Sequence, residues 1–268
     1  AIRRQRQMCI RDRHHCIRVN FCLLYDILIC TIKVLNLGRF IMKRIDFENG
    51  TVTNNILSAA LPMLVAQILN LLYNIVDRIY IARIHDIGTT ALGAVGLCFP
   101  IIMIITAFSN LFGSGGAPIF SINRGKGDSR TADMIMNTAF TMLCGSAAVL
   151  MLIGFLFARP LLTLFGASDD ALVYAYPYLM IYLLGALPSM IATGMNPFIN
   201  AQGYAIIGML SVTVGAVANI ILDPIFIFVL DMGIKGAAIA TVISQILSAL
   251  LVFYFLHGKS ELKVRWIH

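Results

Sequence analysis

Residues 206–230 read IIGMLSVTVGAVANIILDPIFIFVL, and Asp223 is the one ionisable side chain among them. As a helix rising about 1.5 Å per residue, this run reaches roughly 37 Å, enough to cross about 30 Å of hydrocarbon. It lacks period-2 alternation and is twice too long for a barrel strand, so the element is a membrane helix. Similar runs occupy residues 56–81, 90–119, 134–158, 171–195 and 236–257. Turn chemistry and charge mark the connectors: His85-Asp86-Ile87-Gly88, Asn123-Arg124-Gly125-Lys126-Gly127-Asp128, Gly166-Ala167-Ser168-Asp169-Asp170, Asn200-Ala201-Gln202-Gly203 and Asp231-Met232-Gly233. The expected fold is an all-α polytopic membrane protein with six transmembrane helices.

Composition agrees. The 268 residues are 59% hydrophobic and 12% charged, with a mean hydropathy of +0.85. Soluble domains carry about 45–50% apolar and about 25% charged residues. This excludes a soluble globular enzyme, a disordered chain and a secreted disulfide scaffold, and leaves lipid as the solvent of most of the outer surface.

The formal charge of +7 would suggest an anionic partner if it were evenly spread. It is not. Arg3, Arg4, Arg6, Arg11, Arg13, Arg18, Lys33 and Arg39, opposed by Asp12 and Asp26, place six of the seven units before Met42. No nucleic-acid partner is expected. Cys9, Cys16, Cys22 and Cys30 form no CxxC pair and His14-His15 are adjacent, which is poor zinc-site spacing. The apolar run after Phe21 is interrupted by Asp26 and lacks a small-residue cleavage site. Met8-Cys9-Ile10-Arg11-Asp12-Arg13 resembles a translated sequencing adapter. Residues 1–41 are therefore read as a leader foreign to the fold, residues 42–257 as the helical unit, and 258–268 as a cytoplasmic linker. Lys43, Arg44, Arg124, Lys126, Arg130, Lys259, Lys263 and Arg265 lie on one side of the predicted spans, and Arg83, Arg159 and Lys235 on the other. The positive-inside rule then puts both ends of this unit in the cytoplasm.

A charge at the centre of a membrane helix costs at least about 2.5–3.5 kcal/mol, so intramembrane carboxylates are functional candidates. Two stand well inside spans, Asp77 and Asp223. Asp77 ends the stripe Gln67, Asn70, Asn74, Asp77, and Asp223 ends Ser211, Gly215, Asn219, Asp223. Such spacings share a helical face. Thr241, Gln245 and Ser248 form a third stripe, and Tyr174, Tyr178 and Tyr182 a fourth. Ser211, Gly215 and Ser248 are read as interhelical glue. A carboxylate with an Asn one turn away is read as a cation or proton site, with oxygen ligands suited to Na⁺ as well as H⁺. Asp169-Asp170 reads as a solvated helix start. Pro62, Pro100, Pro188 and Pro224 fall inside or beside spans, where each removes a backbone hydrogen bond. No GxxxxGK[ST], HExxH or GxSxG motif occurs, and Asn219-xxx-Asp223 is at most half of an Asp-rich Mg²⁺ site. An enzyme and an organic cofactor are not expected.

Leu61-Pro62, Tyr73-Asn74-Ile75-Val76-Asp77-Arg78-Ile79-Tyr80-Ile81, Ala94-Val95-Gly96-Leu97-Cys98-Phe99-Pro100, Gly115-Gly116-Ala117-Pro118, Asn219-Ile220-Ile221-Leu222-Asp223-Pro224 and Gly233-Ile234-Lys235-Gly236-Ala237-Ala238 follow one another in order. With them the chain resembles the multidrug and toxic compound extrusion (MATE) transporters, most of all their bacterial MepA-type branch. The resemblance implies two six-helix lobes around a cavity that opens alternately to each side. It implies cation-coupled (H⁺ or Na⁺) export of amphipathic, often cationic xenobiotics across the bacterial cytoplasmic membrane. It also implies ion-binding roles for Asp77, Asn219, Asp223 and Thr241, a pocket position for Tyr178, and helix bending at Pro62. Gln67, Asn70, Asn74 and Gln245 complete the polar stripes around this expected site. Family members have twelve spans, so this chain is expected to be the N-terminal lobe, a fragment lacking its C-terminal partner lobe. Two rival readings are a lipid-linked oligosaccharide flippase of the same superfamily, whose cavity would be strongly cationic, and a non-transporting assembly subunit.

Overall fold

The computed structural model describes residues 51–84 and 88–259. The leader 1–41, the basic pair Lys43-Arg44, the turn 85–87 and the linker 260–268 lie outside the described residues. Among the described residues seven α-helices follow in order: α1 (Val52–Ala82), α2 (Gly88–Gly125), α3 (Ser129–Leu164), α4 (Asp169–Leu184), α5 (Ala186–Ala201), α6 (Ala205–Pro224) and α7 (Gly233–Tyr254). Among the described residues there is no strand. Helices α6 and α7 run on as π-helical turns, Ile225–Val229 and Phe255–Lys259.

Five of these segments are long and apolar enough to cross a membrane, and α4 with α5 makes a sixth that is bent by 55°. The six-span expectation therefore holds with one change: the run 171–195 is a broken span. The physical cause is local. Pro188 has no N–H to offer the carbonyl of Leu184, one turn back. The Gly185 N–H turns instead to the Tyr182 carbonyl at 2.9 Å, and the Ser189 N–H restarts the ladder on the Gly185 carbonyl at 2.9 Å. Pro62, by contrast, lies within a continuous α1.

The connectors behave as their residues predict. After α3, Gly166 (φ 89°) and Ala167 donate to Thr163 and Leu162, and after α5, Gly203 (φ 91°) and Tyr204 donate to Asn200 and Ile199. Both are left-handed helix ends that glycine adopts without a Cβ clash. Asp128 caps α3, accepting from the Thr131 N–H at 3.0 Å and the Thr131 hydroxyl at 2.6 Å. That hydrogen bonding holds its carboxyl below the usual carboxylate value of 3.8. Arg124, ending α2, donates to the Ala201 carbonyl at 3.1 Å and closes the end of α5.

Two buried clusters hold the bundle. One gathers Cys98, Ile105, Leu143, Leu179, Leu183 and Met190, with Ala91, Ala94 and Ala147 between them. The other centres on Phe120, Met136, Phe140, Met195 and Phe198, where the Phe120 and Phe198 rings meet edge to face at 5.6 Å. Small residues let the backbones approach, as lipid-embedded helices require in place of a hydrophobic drive between them. A Cβ on Gly113 of α2 would strike the Gly194 backbone of α5. Outward, large apolar side chains such as Leu152, Leu156 and Leu164 are exposed, as lipid allows. Helix α1 buries only Ala66, Tyr80 and Ile81 and lies chiefly along α6.

Candidate functional site

Helix α6 supplies the floor of the site. Its four-residue stripe divides in function along its length. Ser211 and Gly215 face α7 as packing: the Ser248 hydroxyl donates to the Ser211 carbonyl at 2.8 Å, and a Cβ on Gly215 would lie 3.3 Å from that of Ser248. Further along, Asn219 is 1% exposed and Asp223 is fully buried. The Asn219 amide donates to Asp223 Oδ1 at 3.4 Å and to Thr241 Oγ1 of α7 at 3.3 Å. The Thr241 hydroxyl donates in turn to the Ala237 carbonyl at 3.0 Å, which fixes its rotamer.

Asp77 of α1 completes the centre. Its carboxyl and that of Asp223 interact directly, side chain to side chain and through charge. The guanidinium of the neighbouring Arg78 lies 5.7 Å above the Phe99 ring of α2, and its charge still acts on Asp77. Asp77 Oδ1, Asp223 Oδ2 and Asn219 Oδ1 are buried and accept no hydrogen bond. A buried polar atom without a partner costs about 1–3 kcal/mol, more when charged. Three such oxygens on neighbouring residues, with the Thr241 hydroxyl bonded to one of those residues, are hard donors of the kind that suit a proton or an alkali cation. Among the described residues no cluster of three or more His, Cys, Asp or Glu suits a metal centre.

Aromatic hydroxyls wall this pocket. Tyr178, 4% exposed, stacks on Tyr182 at 6.3 Å and feels both carboxyl groups. The Gln245 amide donates to the Tyr182 hydroxyl at 3.4 Å, while Gln245 Oε1 stays buried and unpartnered. Of the predicted residues, Asp77, Asn219, Asp223, Thr241, Tyr178 and Gln245 thus come together. Gln67 and Asn74 are exposed and Asn70 is half-buried. Asn74 donates back to the Asn70 carbonyl of its own helix at 2.7 Å.

Sequence reasoning placed Tyr182 in a stripe without assigning it to the site, and it missed Tyr73. Tyr73 is half-buried and interacts with Asp77, Asp223 and Tyr182, and its spacing of four from Asp77 was the available signal. A second polar knot was also missed. Asn196 of α5 donates to Ser211 Oγ at 2.9 Å and to the Gly208 carbonyl at 3.0 Å, and Asn200 donates to Asn196 Oδ1 at 3.3 Å.

Membrane-crossing helices, one of them broken, around a pair of carboxyl groups with amide and hydroxyl oxygens define a polytopic membrane protein with a polar centre. The MatE family model matches residues 62–225, more than half of the chain, and the chain belongs to that family. It is 28% identical over 221 residues to the multidrug export protein MepA of Staphylococcus aureus (strain MRSA252), covering 81% of this chain and 48% of that protein. A crystal structure of MATE in complex with MaD5 superposes with a TM-score of 0.77 at 27% identity, over 83% of this chain and 50% of the other. A MATE structure in the bent conformation matches with a TM-score of 0.72 at 28% identity, over 78% of this chain and 47% of the other. The chain spans about half the length of the relatives it matches.

Proposed function

We propose that this six-span unit is the ion-coupling lobe of an exporter that expels amphipathic, often cationic drugs in exchange for H⁺ or Na⁺. The unit would lie in the bacterial cytoplasmic membrane with both its ends in the cytoplasm. A second six-helix lobe, as the doubled length of the relatives implies, would close the substrate cavity. The observation that carries this reading is the Asp77–Asp223 contact in a pocket with three unpartnered oxygens. The name of the MepA relative supports the drug-export part. Arg78, which lies over Phe99 with its charge still acting on Asp77, is a single cation beside two carboxyl groups, which favours this over a flippase whose cavity must be strongly cationic to hold a diphosphate.

Two carboxyl groups in contact in a low-dielectric pocket favour sharing a proton or a cation between them. Binding of H⁺ or Na⁺ would cancel that repulsion and give Asp223 Oδ2 and Asn219 Oδ1 the partners they lack. The carboxyl of Asp77 would then shift relative to α6, and α1, which holds few buried contacts, would rebend at Pro62 and release substrate. Moving one charge inward yields about 2.3 kcal/mol per 100 mV, which biases a two-state equilibrium about 50-fold.

The test uses the two-lobed transporter that carries this unit, in everted vesicles energised separately by a proton or a sodium gradient. Asp223→Asn keeps the shape and removes the charge, and ethidium export should fall to the background of empty vesicles. Undiminished export by that variant overturns the reading.

A further inference from the structure

A groove of about 490 Å³ opens between α3 and α4, away from the carboxylate pocket. Its polar lining is Arg159, Thr163, Asp169 and Tyr176, and its apolar flank is Leu172, Val173 and Pro177. Helix α3 has 36 residues, about 54 Å of helix, against a hydrocarbon core of about 30 Å. Its ends therefore stand in the headgroup layer, and Arg159 and Thr163 lie within its last two turns. Asp169 is the first residue of α4, beside them. Arg159 is exposed, and its guanidinium sits 5.5 Å above the Tyr176 ring, which aims the cation along the groove. The Thr163 hydroxyl donates to the Arg159 carbonyl at 3.0 Å, leaving its oxygen lone pairs free to accept. Around this patch the surface is bare hydrocarbon: Val173 is 66% exposed, Leu156 67% and Leu164 78%.

We propose that this groove binds a zwitterionic phospholipid whose headgroup carries a primary ammonium, of the phosphoethanolamine type. The planar fork of Arg159 fits a phosphate bidentately, and Tyr176 adds the amphipathic ring favoured at a membrane interface. The lipid ammonium donates N–H groups to the Asp169 carboxylate. The acyl chains continue along Val173 and the exposed leucines. Charge and donor chemistry select among headgroups. One with net negative charge brings no cation to the Asp169 carboxylate, and a choline headgroup has no N–H to give Asp169. The inference concerns the lipid-facing surface and stands apart from the ion-coupling reading.

The test is native mass spectrometry of the purified full chain in mild detergent. Short-chain diacyl phosphatidylethanolamine, phosphatidylcholine and phosphatidylglycerol are titrated separately, and free phosphoethanolamine serves as the headgroup alone. The ethanolamine lipid should be retained at least about five-fold more than the other two lipids, as the loss of one charge-assisted hydrogen bond implies. Free phosphoethanolamine should not be retained. Asp169→Asn should reduce that lipid to the level of phosphatidylcholine, and Arg159→Gln, which removes the partner of the shared phosphate, should lower retention of all three lipids. Val173→Trp, which fills the apolar flank without altering charge, should also lower retention and keeps the test open if the Arg159 variant fails to fold. Equal or stronger retention of phosphatidylglycerol, or an unchanged preference in Asp169→Asn, overturns the proposal. So does retention of the free headgroup equal to that of the lipid.

Discussion

Replacing Gly113 by Ala adds one methyl group at the crossing of α2 and α5, where nothing soft can yield. The added Cβ would collide with the Gly194 carbonyl oxygen and lie 2.9 Å from Gly194 Cα and 3.0 Å from its carbonyl carbon. All three obstacles are backbone. Ordinary contact needs about 3.4 Å, and the carbonyl oxygen falls short of it by about 1 Å, so the helices must separate by about that much. A gap of about 0.5–1 Å forfeits a quarter to a half of each dispersion contact it opens. The contacts at stake include Leu143, which packs directly on Gly194 and is fully buried. Overpacked cores lose about 1–3 kcal/mol, and a rigid obstacle places Gly113→Ala near the upper end, about 3 kcal/mol. The control lies two residues away. A Cβ on Gly115 meets nothing within 4 Å, so Gly115→Ala should gain about 0.5–1 kcal/mol from the lost chain entropy of glycine. Opposite signs from the same substitution on one helix turn are a demanding outcome. Reversible unfolding in mixed detergent and SDS micelles, followed by far-UV circular dichroism, measures both. Gly113→Ala within about 0.5 kcal/mol of wild type, or an equal loss in Gly115→Ala, would refute this account of the crossing.

Three other perturbations address the site and its supports. Thr241→Val keeps the side-chain shape but removes the hydroxyl that accepts from Asn219 at 3.3 Å; the loss of about 1 kcal/mol expected for such a bond should weaken coupling-ion binding to the two-lobed transporter about five-fold by isothermal titration, with the circular dichroism spectrum unchanged. Gly185→Leu drives a Cβ to 2.6 Å from Gln245 Oε1 and 2.8 Å from Val242 Cγ2; its melting midpoint in detergent should fall, whereas Gly145→Ala, which meets nothing within 4 Å, should not lower it. Asp128→Ala removes the cap of α3 and should lower stability at neutral pH. Because hydrogen bonds from Thr131 hold the folded carboxyl below 3.8, the wild-type advantage is present above that value and is lost as pH falls through the lower folded one. Midpoints measured from pH 7 down to pH 3 should show the two proteins converging, and a constant gap would remove the cap from the argument.

Much of the site was legible in the sequence because hydrocarbon makes ions conspicuous. In a chain whose predicted spans hold one other charged side chain, Arg78, Asp77 and Asp223 stand out on energetic grounds alone. Four-residue spacing then recovers Asn219, and the stripe on α7 recovers Thr241 and Gln245. The same spacing overreached on α1. Gln67, Asn70 and Asn74 share a face with Asp77, but α1 meets α6 along only part of its length, and the polar face beyond that meeting is exposed or folds back on its own backbone. A helical stripe says which residues share a direction. It does not say how far along the helix the neighbour extends. Asn196 escaped notice for the reverse reason: its partners, Gly208 and Ser211, lie across a turn on the next helix, and one-helix periodicity does not see them.

The break at Gly185 marks a different limit. Hydropathy averaged over a span is blind to it, since residues on both sides are apolar. Proline content does not predict it either, because Pro62, Pro100 and Pro160 lie inside continuous helices while Pro188 stands just after a 55° bend. Each proline removes one N–H from the ladder. What distinguishes this one is its neighbour three residues earlier. At Gly185 the side that would carry a Cβ is filled by Gln245 Oε1 and Val242 of α7, and Gln245 is also tied to the Tyr182 hydroxyl. Proline leaves the ladder one hydrogen bond short, and close packing against α7 sets where the chain bends. The bend thus lies one residue from a helix end that carries Tyr178 and Tyr182 in the carboxylate pocket. A shift of α7 at Thr241 and Gln245 would therefore reach the broken span through contacts already in place, which is the coupling that the proposed ion-driven movement needs.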